Sequence, residues 1–258
     1  MEKENYEFLE YVLRTTIPVR IIDKNNSKIN LDIGSGFFLE YRGKKFFITV
    51  EHISKTDGVY AIVTGNTINK NDAELIRFEK LNIPKKVFLN NEESVEKLFE
   101  ILHDKELSKN LKSEDIASIQ LTNIPNCIQR ELKFNNDSAL ESCSKIVIKS
   151  TLDYILSKND VFGFSGRILM YGTDDKFTDQ IIVNMEHEFS HNGWEIFKLD
   201  KPIERKEDFQ GCSGAPILNK KKDLVGVVLR GNEGEQELLA LSVKKLKLIL
   251  DHTYFNQE

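Results

Sequence analysis

The sequence contains little cysteine, and its cysteines follow no recognisable pattern. Cys127, Cys143 and Cys212 are three residues at wide spacing, an arrangement that fits neither a disulfide framework nor a zinc-ligand motif. We therefore expect reduced thiols in a cytoplasmic protein, with no metal and no cofactor.

Long apolar runs and a surplus of basic charge are also missing. No run approaches the roughly 20 apolar residues that a membrane-spanning helix needs. The first five residues are charged and lack the apolar segment of a secretory signal. The net charge of −5 is the opposite of what a nucleic-acid-binding surface requires. We therefore expect a cytoplasmic protein whose partners are neither membranes nor nucleic acids.

What the chain does contain is many short β-rich runs, separated by turn sequences about every ten residues. Helical spacing of apolar residues occurs near both ends and over residues 92–107. Residues 122–145 are polar and lack a sustained period, as a connection between two halves would. This texture predicts a mainly β protein of the barrel type with terminal helices.

The most informative stretch is Gly211-Cys212-Ser213-Gly214-Ala215-Pro216. A serine between flexible residues is suited to nucleophilic attack, and the N–H groups of Gly211 and Ser213 can face one pocket and stabilise an oxyanion. Gly214 allows a substrate backbone to approach because it has no Cβ atom. The alternative is a glycine-rich turn between two strands with no chemical role.

A serine nucleophile requires a base, and the base requires an orienting group. His52 follows the apolar run 46–50 and is the candidate base. Asp115 precedes the apolar pair Ile116-Ala117, so its carboxylate should be partly buried and in need of a partner such as an imidazole N–H. Each residue also has a purely structural interpretation, as a strand-end histidine or a strand-start aspartate.

Taken together, these residues resemble the chymotrypsin-like serine peptidases, whose triad has the same chain order. Three motifs carry the resemblance: Gly34-Ser35-Gly36-Phe37 with Thr49-Val50-Glu51-His52, then the run Asp115 to Leu121, and the Ser213 turn with the strand 224–228 after it. The missing disulfides make the chain similar to the intracellular bacterial-type members.

The resemblance implies two six-stranded antiparallel β-barrels with the site in the cleft between them. The first barrel would span 17–125 and carry His52 and Asp115, and the second would span 145–241 and carry Ser213. The remaining units are an N-terminal helix at 1–16, an inserted helix near 92–107, a connection at 126–144 and a C-terminal helix at 242–258. The family also implies an oxyanion hole formed by the N–H groups of Gly211 and Ser213.

Two departures from the family pattern concern the neighbours of the triad. Glu51 replaces the small residue usual before the histidine, where a charge can perturb or regulate the site. Cys212 stands where the enzymes activated by N-terminal cleavage have an aspartate, so that activation route is not expected. Cys212 as the nucleophile would require glycines where Gln210 and Ser213 stand.

The expected substrate contacts lie on both sides of the serine turn. In this fold the residue six before the serine often lies at the base of the first specificity pocket, and here it is Glu207. A carboxylate there would favour lysine or arginine in the substrate, whereas the alternative is a solvated acidic loop at 204–208. We also expect substrate contacts from Gln210, and an added substrate strand along Leu229, Arg230 and Gly231.

The string His187-Glu188-Phe189-Ser190-His191 offers a competing function, because H-E-x-x-H on a helix binds zinc. Here the surrounding residues alternate apolar and polar, and Asn192-Gly193 follows, which predicts a strand entering a tight turn. On a strand the two histidines would lie about 13 Å apart, too far for one zinc ion. A zinc peptidase is therefore the less favoured interpretation.

The sequence thus predicts a serine endopeptidase with the triad His52, Asp115 and Ser213. Its partners would be protein or peptide substrates and, because no zymogen switch is evident, a regulatory protein. The alternative is a non-catalytic protein-binding module with a protease-like fold.

Overall fold

The protein is mainly β, as the sequence predicted. The computed structural model describes residues 3–26, 30–54, 58–65, 74–78, 80–83, 115–133, 139–157, 160–169, 176–191, 193–205, 207 and 209–255. The predicted inserted helix at 92–107 lies outside these residues.

The elements of the first half run from the N-terminal helix to the last short strand before residue 150. They are α1 (Lys3–Thr15), β1 (Thr16–Asp23), β2 (Asn30–Tyr41), β3 (Lys44–Thr49), β4 (Gly58–Val63), β5 (Leu75–Phe78), β6 (Ala117–Leu121), β7 (Ile128–Gln129), β8 (Leu132–Lys133), β9 (Ala139–Leu140), β10 (Cys143–Ser144) and β11 (Ile148–Lys149).

The second half contains longer strands and ends in a helix. Its elements are β12 (Phe162–Leu169), β13 (Phe177–His191), β14 (Trp194–Lys198), β15 (Pro216–Asn219), β16 (Leu224–Gly231), β17 (Glu237–Ser242) and α2 (Val243–Leu250), which a π-helical turn over Asp251–Phe255 extends.

The second half forms a closed antiparallel barrel of six strands in the order β12-β13-β14-β17-β16-β15. The predicted hairpin between β13 and β14 is present, and Gly193 occupies its turn with φ +84°. Phe162, Phe164 and Phe197 fill the barrel and are fully buried. Barrel closure satisfies every strand edge by pairing within one sheet.

The first half is a seven-stranded sheet with a six-strand path, β5-β4-β1-β2-β3-β6, and β11 paired to β2. The segment that follows β5 reaches β6 at one point, where Asn82 and Ser118 exchange two backbone hydrogen bonds of 2.7 and 2.9 Å. This differs from the expected closed six-stranded barrel, because among the described residues a single bridge takes the place of a ladder between β5 and β6.

The connection expected at 126–144 contains two small antiparallel pairs, β7 with β10 and β8 with β9. Cys127, Cys143 and Cys212 are all free thiols. Among the described residues, no helix is both long enough and apolar enough to cross a membrane.

Both terminal helices are present where apolar spacing predicted them. In α1, Phe8 and Val12 are buried, and in α2 the inner face is formed by Val243, Leu246, Ile249 and Leu250. These side chains belong to one buried cluster that includes residues of both halves, so the helices hold the chain termini against the rest of the fold.

The predicted cap of α2 is confirmed, because the Ser242 hydroxyl accepts a hydrogen bond of 3.1 Å from the backbone N–H of Lys245. Replacing Ser242 with alanine leaves that buried N–H without its acceptor. We expect a loss of about 1 kcal/mol in the free energy of unfolding, measured by denaturant titration. Ser242→Thr keeps the hydroxyl and should lose clearly less; equal losses in both variants would contradict the capping role.

Candidate active site

His52 and Asp115 are held together by two hydrogen bonds. His52 opens a short 3₁₀ turn three residues after the end of β3, and Asp115 lies two residues before β6, the neighbour of β3 in the sheet. The backbone N–H of His52 donates to Asp115 Oδ1 over 2.8 Å, and its Nδ1 lies 2.5 Å from Asp115 Oδ2. With Nδ1 facing the carboxylate, the unprotonated position of a neutral imidazole is Nε2.

The Ser213 turn connects to barrel strand β15 and is built on glycine conformations. Gly211 has φ +105° and Gly214 has φ +91°, values that favour glycine strongly. A Cβ atom on Gly214 would lie 2.0 Å from the carbonyl oxygen of Ser35. The two glycines are therefore required by the turn itself and by the strand packed against it.

Strand β2 joins the serine turn to the first sheet through Ser35. The backbone N–H of Ser35 donates to the Ser213 carbonyl over 2.8 Å, and the Ser35 hydroxyl donates to the Gly211 carbonyl over 2.6 Å. Thr49, three residues before His52, donates its hydroxyl to the Ser35 carbonyl over 2.7 Å. All three contacts are buried, so they fix the turn relative to the end of β3.

Gly34 shows how closely the histidine and serine segments approach. A Cβ atom on Gly34 would lie 2.6 Å from the side chain of Ile53, the neighbour of His52, and 3.4 Å from the carbonyl oxygen of Ser213. A larger residue at this point of β2 would overlap Ile53, so the glycine lets the histidine segment pack closely against the strand. The structure therefore brings all three residues of the predicted triad to one region, at the junction of the two halves.

Two N–H groups of the serine turn are available for a ligand. Within the described residues, no hydrogen bond uses the N–H of Gly211 or of Ser213, whereas the N–H groups of Cys212 and Gly214 bond to Phe209 and Val228. Paired free donors beside a serine are what an oxyanion site needs.

The Ser213 hydroxyl donates to the Leu229 carbonyl over 2.8 Å. Among the residues that the structure describes, the hydrogen-bond partner of the Ser213 hydroxyl is therefore Leu229 and not His52. Leu229 lies at a β-bulge of β16, where the register shifts between Val228 and Arg230. The bulge points the Leu229 carbonyl at the serine turn.

Cys212 is fully buried beneath the turn, against Gly166 of β12. Burial raises the pKa of its thiol, which disfavours the thiolate that a cysteine nucleophile requires. This burial agrees with the choice of Ser213 over Cys212 as the candidate nucleophile.

The expected substrate contacts differ in their surroundings. Glu207 and Gln210 are exposed, which agrees with the solvated-loop interpretation of 204–208. Arg230 and Gly231 are half-buried at the end of β16. A Cβ atom on Gly231 would lie 2.3 Å from the Ile203 side chain, so the surface beside this strand end is apolar.

The H-E-x-x-H string lies on strand β13 and not on a helix, as its alternating pattern predicted. His187 Nε2 lies 2.9 Å from a carboxylate oxygen of Glu195, and the Ser190 hydroxyl donates to that oxygen over 2.5 Å. The cluster is a cross-strand polar contact between β13 and β14. The described residues contain no group of three or more histidine, cysteine or acidic side chains suited to a metal ion.

Sequence reasoning assigned no role to Ser35 or Thr49, although both lie inside the motifs that carry the family resemblance. It also missed Arg20 and Arg167, which are buried near the serine turn with 4% and 5% of their surface exposed. The available signal for Arg20 was its position in an otherwise apolar strand, Pro18-Val19-Arg20-Ile21-Ile22.

Comparison with known proteins identifies no family. No protein-family model matches the chain, and no curated protein matches it in sequence. Among solved structures, the chain is similar to the serine endoprotease from Yersinia pestis, with a TM-score of 0.47 and 13% sequence identity. The similarity covers 98% of this chain and 66% of that one, so the chain spans just under two thirds of that protein's length.

Proposed function

We propose that the protein is a cytoplasmic serine endopeptidase of chymotrypsin-like fold, with the triad His52, Asp115 and Ser213. The observation that supports it most is that the Asp115 carboxylate accepts hydrogen bonds from the backbone N–H and from the ring of His52. These residues lie beside a serine turn in which the N–H groups of Gly211 and Ser213 have no partner among the described residues. A carboxylate that holds an imidazole by Nδ1 leaves Nε2 as a base.

In the proposed mechanism, Ser213 attacks the scissile carbonyl and transfers its proton to His52 Nε2. Asp115 stabilises the resulting imidazolium, and the N–H groups of Gly211 and Ser213 bind the oxyanion. His52 then donates the proton to the leaving amine. A water molecule attacks the acyl-enzyme by the same route, with His52 again as base, and regenerates Ser213.

Because the Ser213 hydroxyl donates to the Leu229 carbonyl, the proposed mechanism requires substrate binding to free the serine. A substrate strand added along β16 would donate a backbone N–H to the Leu229 carbonyl and displace the serine hydroxyl. The freed hydroxyl could then rotate towards His52. This supports protein or peptide substrates in an extended conformation. It also supports a site whose serine stays inactive until substrate binds. A regulatory protein partner would restrain the activity further.

The proposal is tested by labelling with a fluorophosphonate probe, which reacts with an activated serine. We expect labelling of the wild type and none of Ser213→Ala, because the nucleophile is gone, or of His52→Ala, because the base is gone. Ser190→Ala is the matched control, because Ser190 also lies beside a histidine, 3.1 Å from His187. Both of these side chains donate to Glu195, so the Ser190→Ala protein should be labelled like the wild type. A folded wild type that does not react, either alone or with a peptide that occupies β16, would overturn the proposal.

The second candidate is a non-catalytic protein-binding module with the same fold. The observation that favours it is the same hydrogen bond, in which Ser213 faces Leu229 and not His52. The probe separates the two candidates, because a binding module would not react even in the presence of a peptide that occupies β16.

A further inference from the structure

Arg230 is a cation at the end of the strand along which the proposed substrate would pair. The six residues before it in β16, Leu224 to Leu229, are buried, whereas Arg230 is half-buried. Among the described residues, its guanidinium group has no hydrogen bond, ion pair or ring contact, and Glu233 and Glu235 on the following loop do not bond to it. A guanidinium that is partly removed from water in this way can accept an anionic ligand without giving up another partner.

One edge of β16 offers a place for an added strand beside Arg230. Strand β15 pairs with the start of that edge, and the serine turn continues it through two backbone hydrogen bonds with Val228. The next acceptor, the Leu229 carbonyl, is bonded to the Ser213 hydroxyl. On the other edge, β17 pairs with β16 as far as Gly231. An extended substrate that displaces the hydroxyl would therefore continue the antiparallel ladder of β15.

The register of this ladder places one substrate residue opposite Arg230. The residue that replaces Ser213 as donor to the Leu229 carbonyl lies beside the nucleophile, so it is the first residue before the scissile bond. In an antiparallel pair the two chains run in opposite directions, so the second residue before the bond lies opposite Arg230. Residues directly opposite each other point to the same face, with Cβ atoms about 5 Å apart. Their side chains are therefore within contact distance.

The face that Arg230 shares with this substrate residue is the outer face of the closed barrel, at the junction of the two halves. Arg230 pairs with Leu239 of β17. Leu239 and Leu229 both belong to the buried cluster that contains residues of both halves. A charge pair formed beside this apolar surface is screened less than a pair in open water.

We propose that Arg230 is a specificity-determining residue that binds a carboxylate side chain, so that the protein prefers aspartate or glutamate as the second residue before the scissile bond. The planar guanidinium matches the two oxygens of a carboxylate, and it repels a lysine. The inference rests on the proposed serine-peptidase function and assigns a substrate class to that site. It concerns a different substrate residue from the expectation for Glu207, which concerned the first residue before the bond.

The test uses peptidyl phosphonate probes, which react with an activated serine and carry phosphorus in place of the scissile carbonyl carbon. The probes of a matched set have glutamate, glutamine or lysine as the second residue before the bond and the same mixture of residues elsewhere. We expect the wild type to react about fivefold faster with the glutamate probe than with the glutamine probe, because a hydrogen bond between charged groups is stronger than one to a neutral amide. The lysine probe should react most slowly.

Variants then assign the preference to Arg230. Arg230→Met should abolish the difference between the glutamate and glutamine probes, and Arg230→Lys should retain part of it. Arg230→Glu should reverse the order, with the lysine probe faster than the glutamate probe. Arg77→Met, a change at an exposed arginine of β5, should keep the wild-type preference. Each rate is divided by the fluorophosphonate rate of the same protein, so a general effect on Ser213 cancels.

The two proposals fail in different ways. If fluorophosphonate labels the wild type but the glutamate probe is no faster than the glutamine probe, or no peptidyl probe reacts, the role of Arg230 is overturned and the serine-peptidase function stands. A glutamate preference that survives in a folded Arg230→Met protein would overturn that role as well. Absence of fluorophosphonate labelling, with and without a peptide along β16, would overturn the proposed function and the substrate preference with it.

Discussion

Asp115→Asn should lower the rate constant of fluorophosphonate labelling by about 10⁴-fold, the effect of this change in a serine-peptidase triad. Asp115 Oδ1 accepts the backbone N–H of His52, so the amide oxygen of an asparagine would take that position. The amide NH₂ would then face His52 Nδ1 and force it to accept. The ring proton would move to Nε2, and His52 could no longer remove the proton of Ser213.

The measurement is the second-order labelling rate at neutral pH, together with the unfolding temperature. Asp200→Asn, at an exposed aspartate after β14, removes the same charge and should leave the rate unchanged. An Asp115→Asn protein that folds and reacts at the wild-type rate would show that Asp115 does not orient the base.

Gly214→Ala should abolish labelling and lower the free energy of unfolding by more than about 3 kcal/mol. The new Cβ atom would lie 2.0 Å from the Ser35 carbonyl oxygen and 2.9 Å from the Thr49 hydroxyl. Both atoms belong to the buried network that joins β2 and β3 to the turn. Relief of the overlap must move backbone, and the displaced turn would carry Ser213 and its N–H group out of position.

Two other glycines separate the contributions to this loss. Gly65 has open space around its Cβ position and no positive φ, so Gly65→Ala should change stability little. Gly234 also has open space but φ +85°, so Gly234→Ala isolates the backbone strain, about 1 kcal/mol. Denaturant titration of the three variants should give losses in the order Gly65, Gly234, Gly214. A Gly214→Ala loss no larger than that of Gly234→Ala would show that the contact with Ser35 is not tight.

Local patterns in the sequence predicted the features that short-range physics controls. Alternation along 181–189 predicted a strand and argued against a helical zinc motif, because neighbouring side chains of a strand point to opposite faces. Ser242 predicted a helix start because its hydroxyl can satisfy a free N–H of the first turn. The glycines flanking Ser213 predicted a special turn because their backbone adopts positive φ without strain.

The candidate triad was partly predictable for a different reason. His52, Asp115 and Ser213 stand out by residue type and by the apolar runs beside them, and the family resemblance sets their order. Their contacts could not be predicted by spacing alone: 63 residues separate His52 from Asp115, and only the pairing of β3 with β6 brings them together.

The sequence by itself determined the β-rich texture, the ends of the helices and the residues able to carry the chemistry, because these depend on neighbours within a few positions. The tertiary structure alone decided that Ser35 holds Gly211 across 176 residues, that the Ser213 hydroxyl contacts Leu229, and that Arg20 and Arg167 line one pocket. Those contacts form where the first sheet packs on the closed barrel of the second half. The free energy that holds them comes from burial of both halves together, and no local pattern encodes it.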